Sequence, residues 1–541
     1  MFTHLHVASG FSFKYGTTQP EALVERAAEL GMKSLALTDR SFAGAIRFAQ
    51  SCQEFSITPI LGINLAFENM SATEKNKTSE KNKTSEKRRY GATILAPSGK
   101  WSALLRLTTA LQMTSDSDTP TITREFLKTF AIYSQELILF HGPQSPLAEA
   151  ITQRSAKKAH EIFNATRGFF AEQIIEVVSH LAPGDEPYST PHAARMLTFA
   201  RENKVRAVLT NAARMRDRSD GPIADILDAA RTLRPLHRTT VTRRNSEGFL
   251  KSAEEMAQVA DQIARTASER SSAQLLRDTE ELAEELALSP ENDLGIGGIH
   301  LPEPQSVGAR DHAEMAQRFR QRCIAGMNWR YGNSDLLAKA EVRLEAELNT
   351  IHTLGYESYF LTVADIALRA RESGIRVAAR GSGAGSLICH VLGISGVEPI
   401  THGLLMERFC SPLRRALPDI DIDVESARRL EIYDQVFARY GDMQWQKPGN
   451  TSRCATVAMI ETYRARHAIR DTGAALGLPP MEIDLIAKSL PHIRARNISQ
   501  ALANLPELKN LRLDTPLLKM AIGLAERLDG CREILRCTLA Q

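Results

Sequence analysis

From its first residues the chain alternates short apolar segments with helical ones: FTHLHV, then PEALVERAAELG, KSLALTD, AGAIRFAQSCQEF and TPILGINLAF. Strands that alternate with helices are joined by crossovers, so this pattern predicts a parallel α/β domain or barrel. In such folds, sites form on the loops at the carboxyl ends of the strands. At roughly 100 to 200 residues per domain, 541 residues exclude a single small binding module. Hydrophobic residues at 43% and charged residues at 24% exclude global disorder. With 67 basic against 64 acidic residues, net +3, any nucleic-acid binding must come from local basic patches.

Seven scattered cysteines, at 52, 323, 389, 410, 454, 531 and 537, form no C-x-x-C pair and suit free thiols in a reducing compartment. The start MFTHLHVASGFSF has no basic leader followed by an apolar stretch, and no apolar run is long enough to span a bilayer. The expectation is a soluble cytoplasmic protein with no membrane partner. Residues 72–89, ATEKNKTSEKNKTSEKRR, repeat polar and charged residues with no apolar face, which predicts a disordered insertion. A nucleic-acid role for its lysines is an alternative, against which Glu74, Glu80 and Glu86 interrupt the positive charge. The stretch from Glu254 to Leu288 is helical and charged, and GIGGIHLPEP then breaks it, placing a domain boundary over 230–295.

The sharpest chemical feature is Pro418-Asp419-Ile420-Asp421-Ile422-Asp423. On a strand the three carboxylates share one face and the isoleucines the other. Such a row repels itself, and hard oxygen ligands suit Mg²⁺; two ions about 4 Å apart would serve phosphoryl transfer. A solvated acidic edge strand gives the same pattern. Arg380-Gly381-Ser382-Gly383-Ala384-Gly385-Ser386 precedes an apolar helix and could cradle phosphate on backbone N–H groups, or simply make a tight connection. Arg369, Arg371 and Arg376 lie before it, and Arg408, Arg414 and Arg415 lie between it and the aspartates. Together these features favour a nucleotidyl-transfer site.

The run ARGSGAGSLICHVLGISGVEPITHGLLMERFCSPLRRALPDIDID closely resembles the palm of bacterial C-family replicative polymerases, the DNA polymerase III alpha family. The likeness continues in ELNTIHTLGYESYFLTVADI and YRARHAIRDTGAALGLPPMEIDLIAKSLP, and the amino-terminal residues resemble the family's PHP domain. The resemblance implies an α/β multidomain fold: a PHP-type α/β barrel over 1–235, a helical linker region over 236–295, a palm of mixed sheet and helices over 296–446, a helical thumb over 447–528 and an interrupted end over 529–541. It implies Asp419 and Asp421 as catalytic Mg²⁺ ligands, Asp423 as a supporting residue, and Arg380, Gly381, Ser382 and Arg408 at nucleotide or primer phosphate. Expected partners are DNA primer–template, dNTPs and, for the whole family architecture, a sliding clamp and translesion accessory proteins.

In the first half, His4-Leu5-His6 has the spacing of two imidazoles on one side of a strand, and Asp39 ends the strand SLALTD. Metal-binding PHP domains have Asp-His where this chain has Asp39-Arg40, and Glu where it has Asn64. Their late Asn-Asp-x-His type segment reads Asn211-Ala212-Ala213-Arg214 here. The resemblance therefore implies no multinuclear cluster, with His4, His6 and Asp39 left as a weak single-metal remnant. These substitutions also resemble the error-prone translesion branch. The family's third palm carboxylate is expected beyond Gln541, and Asp471, Asp484 and Asp514 fall in thumb-like helices. The ending CREILRCTLAQ departs from the family's Pro-Arg-x-Leu character, which one inserted cytosine in a permissible back-translation restores. The expectation is a frameshifted gene and a chain with little polymerase activity. Alternatives are a PHP-type metal-dependent phosphoesterase and a non-catalytic DNA-binding or partner-binding fragment.

Overall fold

The computed structural model describes residues 2–70, 90–115, 120–237, 240–241, 243–413, 417–441, 454–455, 457, 459–504 and 515–536. The repeat at 72–89, Arg414, Arg415, Asp514 and Cys537 lie outside the described residues. The chain divides into two compact units, one of residues 1–296 with 456–541 and one of residues 297–455.

The first unit is built on seven strands: β1 Ser34–Leu37, β2 Thr58–Phe67, β3 Tyr90–Leu95, β4 Thr121–Ile122, β5 Ile138–His141, β6 Glu172–Val178 and β7 Ala207–Thr210. Their order is β1-β2-β3-β5-β6-β7, with β4 paired to β2. The alternation of strand and helix is present, but the sheet is mixed rather than parallel. β3 runs antiparallel to both β2 and β5, while β1 with β2, β5 with β6 and β6 with β7 are parallel. The segment around His4 closes the curl, because Ala36 N–H donates to the His4 carbonyl on one side and Ala213 N–H to the His6 carbonyl on the other.

Every strand but β4, together with the segment around His4, turns an apolar residue inward. Leu5, Ala36, Ile60, Leu95, Ile138, Phe140, Ile174 and Val208 form one cluster with Leu282, Ala283 and Leu286. The last three come from helix Ala273–Glu285 and its end. Helix Ala253–Thr266 starts at Ser252 in a capping box with Glu255 and buries Met256, Val259, Ala260 and Ile263 against Ile175, Val177 and Leu197. The helices of the 236–295 stretch are thus packed parts of this unit. Burial of such apolar faces at about 25 cal/mol per Å² is what holds them there.

In the second unit, helices His312–Tyr331, Leu337–Leu354 and Glu357–Glu372 enclose Phe319, Cys323, Leu344, Ile351, Phe360, Ile388 and Phe409. Two strands, β8 Val377–Arg380 and β9 Asp421–Val424, pair antiparallel with Arg380 opposite Asp421 and Ala378 opposite Asp423.

The chain then returns to the first unit as β10 Met459–Thr462 and helices that include Ala465–Ala475, Pro480–Ser489 and Pro516–Arg527, and ends in β11 Arg532–Arg536, antiparallel to β10. Tyr463, Ala468, Ile469, Ile522 and Leu528 pack against Ile223, Ile226 and Leu227 of helix Gly221–Thr232. The expected thumb helices therefore share a core with the amino-terminal unit. Six cysteines among the described residues are free, and no described helix is long and apolar enough to cross a membrane.

Candidate functional site

The aspartate row falls on β9 and the extended residues before it, and the alternation holds. Asp419 and Asp423 are exposed and Asp421 is half-buried, while Ile420 packs against the helical core on the other face. Arg380 and Asp421 are opposite one another in the ladder and so share a face. Arg380 Nε reaches diagonally to Asp423 Oδ1 at 3.1 Å. Those side chains are 59% and 63% exposed, so the pair adds at most about 1 kcal/mol. The carboxylates of Asp419 and Asp421 have no hydrogen bond or ion pair among the described residues. No three His, Cys, Asp or Glu side chains converge among those residues, so the three aspartates fan along the strand rather than close on one point.

One residue that the pattern did not single out organises this strand. Tyr359 Oη accepts the Ile420 N–H at 3.1 Å, fixing the backbone between the two free carboxylates. Burial is the main influence raising the Tyr359 hydroxyl to about 12, and the charges of Asp419 and Asp421 push the same way. A tyrosine three residues into a helix has no signal of its own. Only its position over β9 makes it matter.

The glycine-rich turn differs from the expected cradle. Gly381–Gly385 forms a 3₁₀ turn, and the helix after it, Leu387–Val391, is short. Its free amides are already occupied. Buried Glu347 accepts Leu387 N–H and Ile388 N–H at 3.0 Å each and the Ser386 hydroxyl at 2.9 Å. Arg343 bonds Glu347 at 2.9 Å and also donates to the Leu404 and Gly385 carbonyls. An internal carboxylate therefore sits where the helix end would attract a phosphate. Exposed Gly381 and Ser382 remain open. Gly381 has φ +71°, and a Cβ there would stand 3.4 Å from Asp421 Oδ2, so a bare backbone borders that carboxylate.

The arginine cluster separates by partner. Arg369 pairs with Asp365 at 3.0 Å, Arg371 donates to the Gly393 carbonyl, and Arg376 faces Glu425 at 3.5 Å. Only Arg380 of the four faces the aspartate row, while Arg408 is exposed on a 3₁₀ turn, Met406–Arg408. Asp471 pairs with Lys14, and Asp484 with Arg470 and Lys488.

In the first unit, His4, His6 and Asp39 do not come together. His4 is buried with Nε2 3.0 Å from the Lys251 carbonyl oxygen, and burial lowers it to about 4. His6 Nδ1 lies 2.7 Å from Glu176 Oε1. Asp39 accepts Ser9 N–H at 2.7 Å and the hydroxyls of Ser9 and Ser12 at 2.6 and 2.7 Å, and burial raises its pKa. Each expected ligand thus has its own partner, and Asp39 serves the 9–12 loop. Of the replaced positions, Arg214 is buried and grips both oxygens of Asp228 at 3.0 to 3.2 Å, and Asn64 donates to Thr93 Oγ1 at 3.1 Å.

Residues 4–180 match the PHP domain family, and residues 317–535 match the bacterial DNA polymerase III alpha NTPase domain. The error-prone DNA polymerase of Symbiobacterium thermophilum is 31% identical over 97% of this chain and 46% of that protein. The error-prone DNA polymerase of Mycobacterium bovis is 29% identical over 91% of this chain and 42% of its own length. DNA polymerase III subunit alpha of Bacillus subtilis is 27% identical over 98% and 43%. The chain spans less than half the length of these relatives.

Proposed function

Because the chain belongs to the bacterial DNA polymerase III alpha family, we propose that it serves error-prone, DNA-directed DNA synthesis, its second unit supplying the carboxylate strand of a polymerase palm and its returning helices the thumb. The observation that carries this reading is the pair of unpartnered carboxylates, Asp419 and Asp421, beside the bare turn at Gly381. Two open oxygen donors on one face fit a hard divalent cation, and Mg²⁺ is the ion we assign. When bound, the ion supplies charge neutralisation at the phosphorus and acidifies the primer 3′-OH.

The chain's own groups do the rest. Asp419 and Asp421 present their oxygens from a backbone pinned by Tyr359. Arg380, held by Asp423 in an exposed pair, can exchange that carboxylate for a dNTP phosphate at small cost. Ser382 and Arg408 complete the phosphate side, and primer–template DNA follows the exposed arginines. Contacts with a sliding clamp and translesion accessory proteins belong, in this proposal, to parts of the relatives that the chain does not span. A PHP-type phosphoesterase is the less supported reading, since His4, His6 and Asp39 are each engaged elsewhere.

The test is dNTP and primer–template binding by the purified chain with Mg²⁺, followed by primer extension with four dNTPs. Mg²⁺-dependent dNTP binding that Asp421→Ala weakens about tenfold or more is the expected result. Salt-dependent DNA binding with little extension is also expected, because among the described residues of the aspartate row two carboxylates, Asp419 and Asp421, stand free. Binding indifferent to both Asp419→Ala and Asp421→Ala would sink the assignment.

A further inference from the structure

Where helix His312–Tyr331 ends, it lies directly against the short helix Leu387–Val391. A Cβ at Gly326 would stand 2.1 Å from the Val391 carbonyl oxygen, so only glycine permits the approach. Arg330 stands one helical turn beyond Gly326 on the same side. Arg371, from the last turn of helix Glu357–Glu372, donates to the Gly393 carbonyl just past the short helix. The ring centroids of Tyr331 and His390 are 5.9 Å apart, and His390 is buried with no hydrogen-bond partner for Nδ1.

The positive charge here has no counterpart. Arg330 makes no hydrogen bond or ion pair among the described residues, and its Nε is buried. Arg371 makes no ion pair among them either. Burial lowers the pKa of both guanidinium groups, and the charge of Arg371 lowers that of Arg330 further. The neighbouring carboxylate, Glu398, is spent. It accepts the Tyr331 hydroxyl and the backbone N–H groups of Ile400 and Thr401, the last two at 3.0 and 2.6 Å. Two like charges kept close and partly dehydrated are unfavourable in the free chain.

An aromatic surface adjoins them. Trp329 is 67% exposed, and the Arg330 guanidinium lies 3.8 Å from its ring centroid. Stacking on the ring fixes the guanidinium plane and leaves its terminal N–H groups free. An exposed tryptophan beside an arginine is the composition of an interface anchor. A nucleic-acid backbone is held instead by rows of exposed cations. Two other arginines of this helix, Arg318 and Arg320, are already paired with Glu314 and Glu345.

We propose that this corner of the second unit is a docking surface for a partner protein, where Arg330 and Arg371 together take one aspartate or glutamate carboxylate and Trp329 takes the apolar residue beside it. The partner is an acidic segment in which carboxylates stand next to apolar side chains. A purely acidic or purely apolar segment meets only half of the surface.

The test is fluorescence titration of the full chain, at neutral pH and fixed ionic strength, with four capped peptides in which aspartate or glutamate alternates with leucine or phenylalanine. At least one should change the tryptophan emission and bind about tenfold or more tightly than its asparagine or glutamine counterpart. Trp329→Phe should remove the emission change. With the peptide labelled and followed by anisotropy, Arg330→Gln, Arg371→Gln and Trp329→Ala should each weaken binding about tenfold, and Arg318→Gln should leave it unchanged. Without peptide, Arg330→Gln should keep or raise Tm, since it removes a charge that has no partner. A lower Tm would mark Arg330 as a structural residue and overturn the proposal. So would binding by none of the peptides, equal binding of acidic and amide peptides, or oligothymidylate binding that Arg330→Gln abolishes, which would assign the patch to nucleic-acid phosphate.

Discussion

Glu347 holds the Ile388 amide at 3.0 Å, with both residues buried, so the end of a helix meets a carboxylate from another helix rather than a ligand. Ser386 and Leu387 bond the same carboxylate, and Arg343 secures it from behind. Removing this charge leaves two buried amides and a guanidinium short of acceptors. Glu347→Ala should therefore cost about 3 kcal/mol or more in urea unfolding. A loss below about 1 kcal/mol would mean the amides find other acceptors.

The aspartate row should respond unevenly to neutralisation. Asp419→Asn and Asp421→Asn remove exposed or half-exposed charges that have no partner, so stability without metal should stay within about 0.5 kcal/mol. Asp423→Asn should cost up to about 1 kcal/mol, because Arg380 loses its acceptor. Thermal unfolding with and without Mg²⁺ separates the cases: the Mg²⁺-induced rise in Tm should vanish in Asp421→Asn and persist in Asp423→Asn.

Gly381 has a conformational and a steric reason to be glycine. At φ +71°, a side chain costs about 1 to 2 kcal/mol. Gly381→Ala should lower stability by that amount and weaken dNTP binding, since the new methyl group borders Asp421. Unchanged binding at reduced stability would show that the turn is structural only.

Acid sensitivity should come first from three histidines. Burial lowers His4, His141 and His180 to about 4. Their folded pKa lies below the unfolded value of 6.5, so the unfolded chain binds more protons between those values. Stability is full above pH 6.5 and falls as pH drops toward 4, each histidine adding a slope of about 1.4 kcal/mol per pH unit. Glu314 and Glu398, held near 2, contribute only below the ordinary carboxylate range. Unfolding measured at pH 7, 6 and 5 should show this decline, and His180→Gln should remove one proton from its slope.

Much of the architecture was legible because it rests on short-range periodicity. The burial of β1 follows from the apolar run in KSLALTD, and the aspartates of β9 alternate with isoleucines at the two-residue repeat of any strand. The antiparallel direction of β3 has no such signature, since a strand reads the same in either sense. Nor did the pattern tell Arg380 from Arg371. One faces Asp423, whereas the other is consumed by a backbone carbonyl.

Residue type and order alone determined the α/β class and the face shared by Asp419, Asp421 and Asp423, while the resemblance to PHP domains implied the loss of ligand types at Arg40, Asn64 and Ala212. Those properties are local, fixed by chemistry and by the repeat of the backbone. Tertiary structure decided which charges are spent and which are free. Glu347 fills the helix end, Asp228 neutralises Arg214, and Asp423 holds Arg380. The partners that settle these cases come from distant parts of the chain, and only packing sets the distance and desolvation on which the strength of a charge depends.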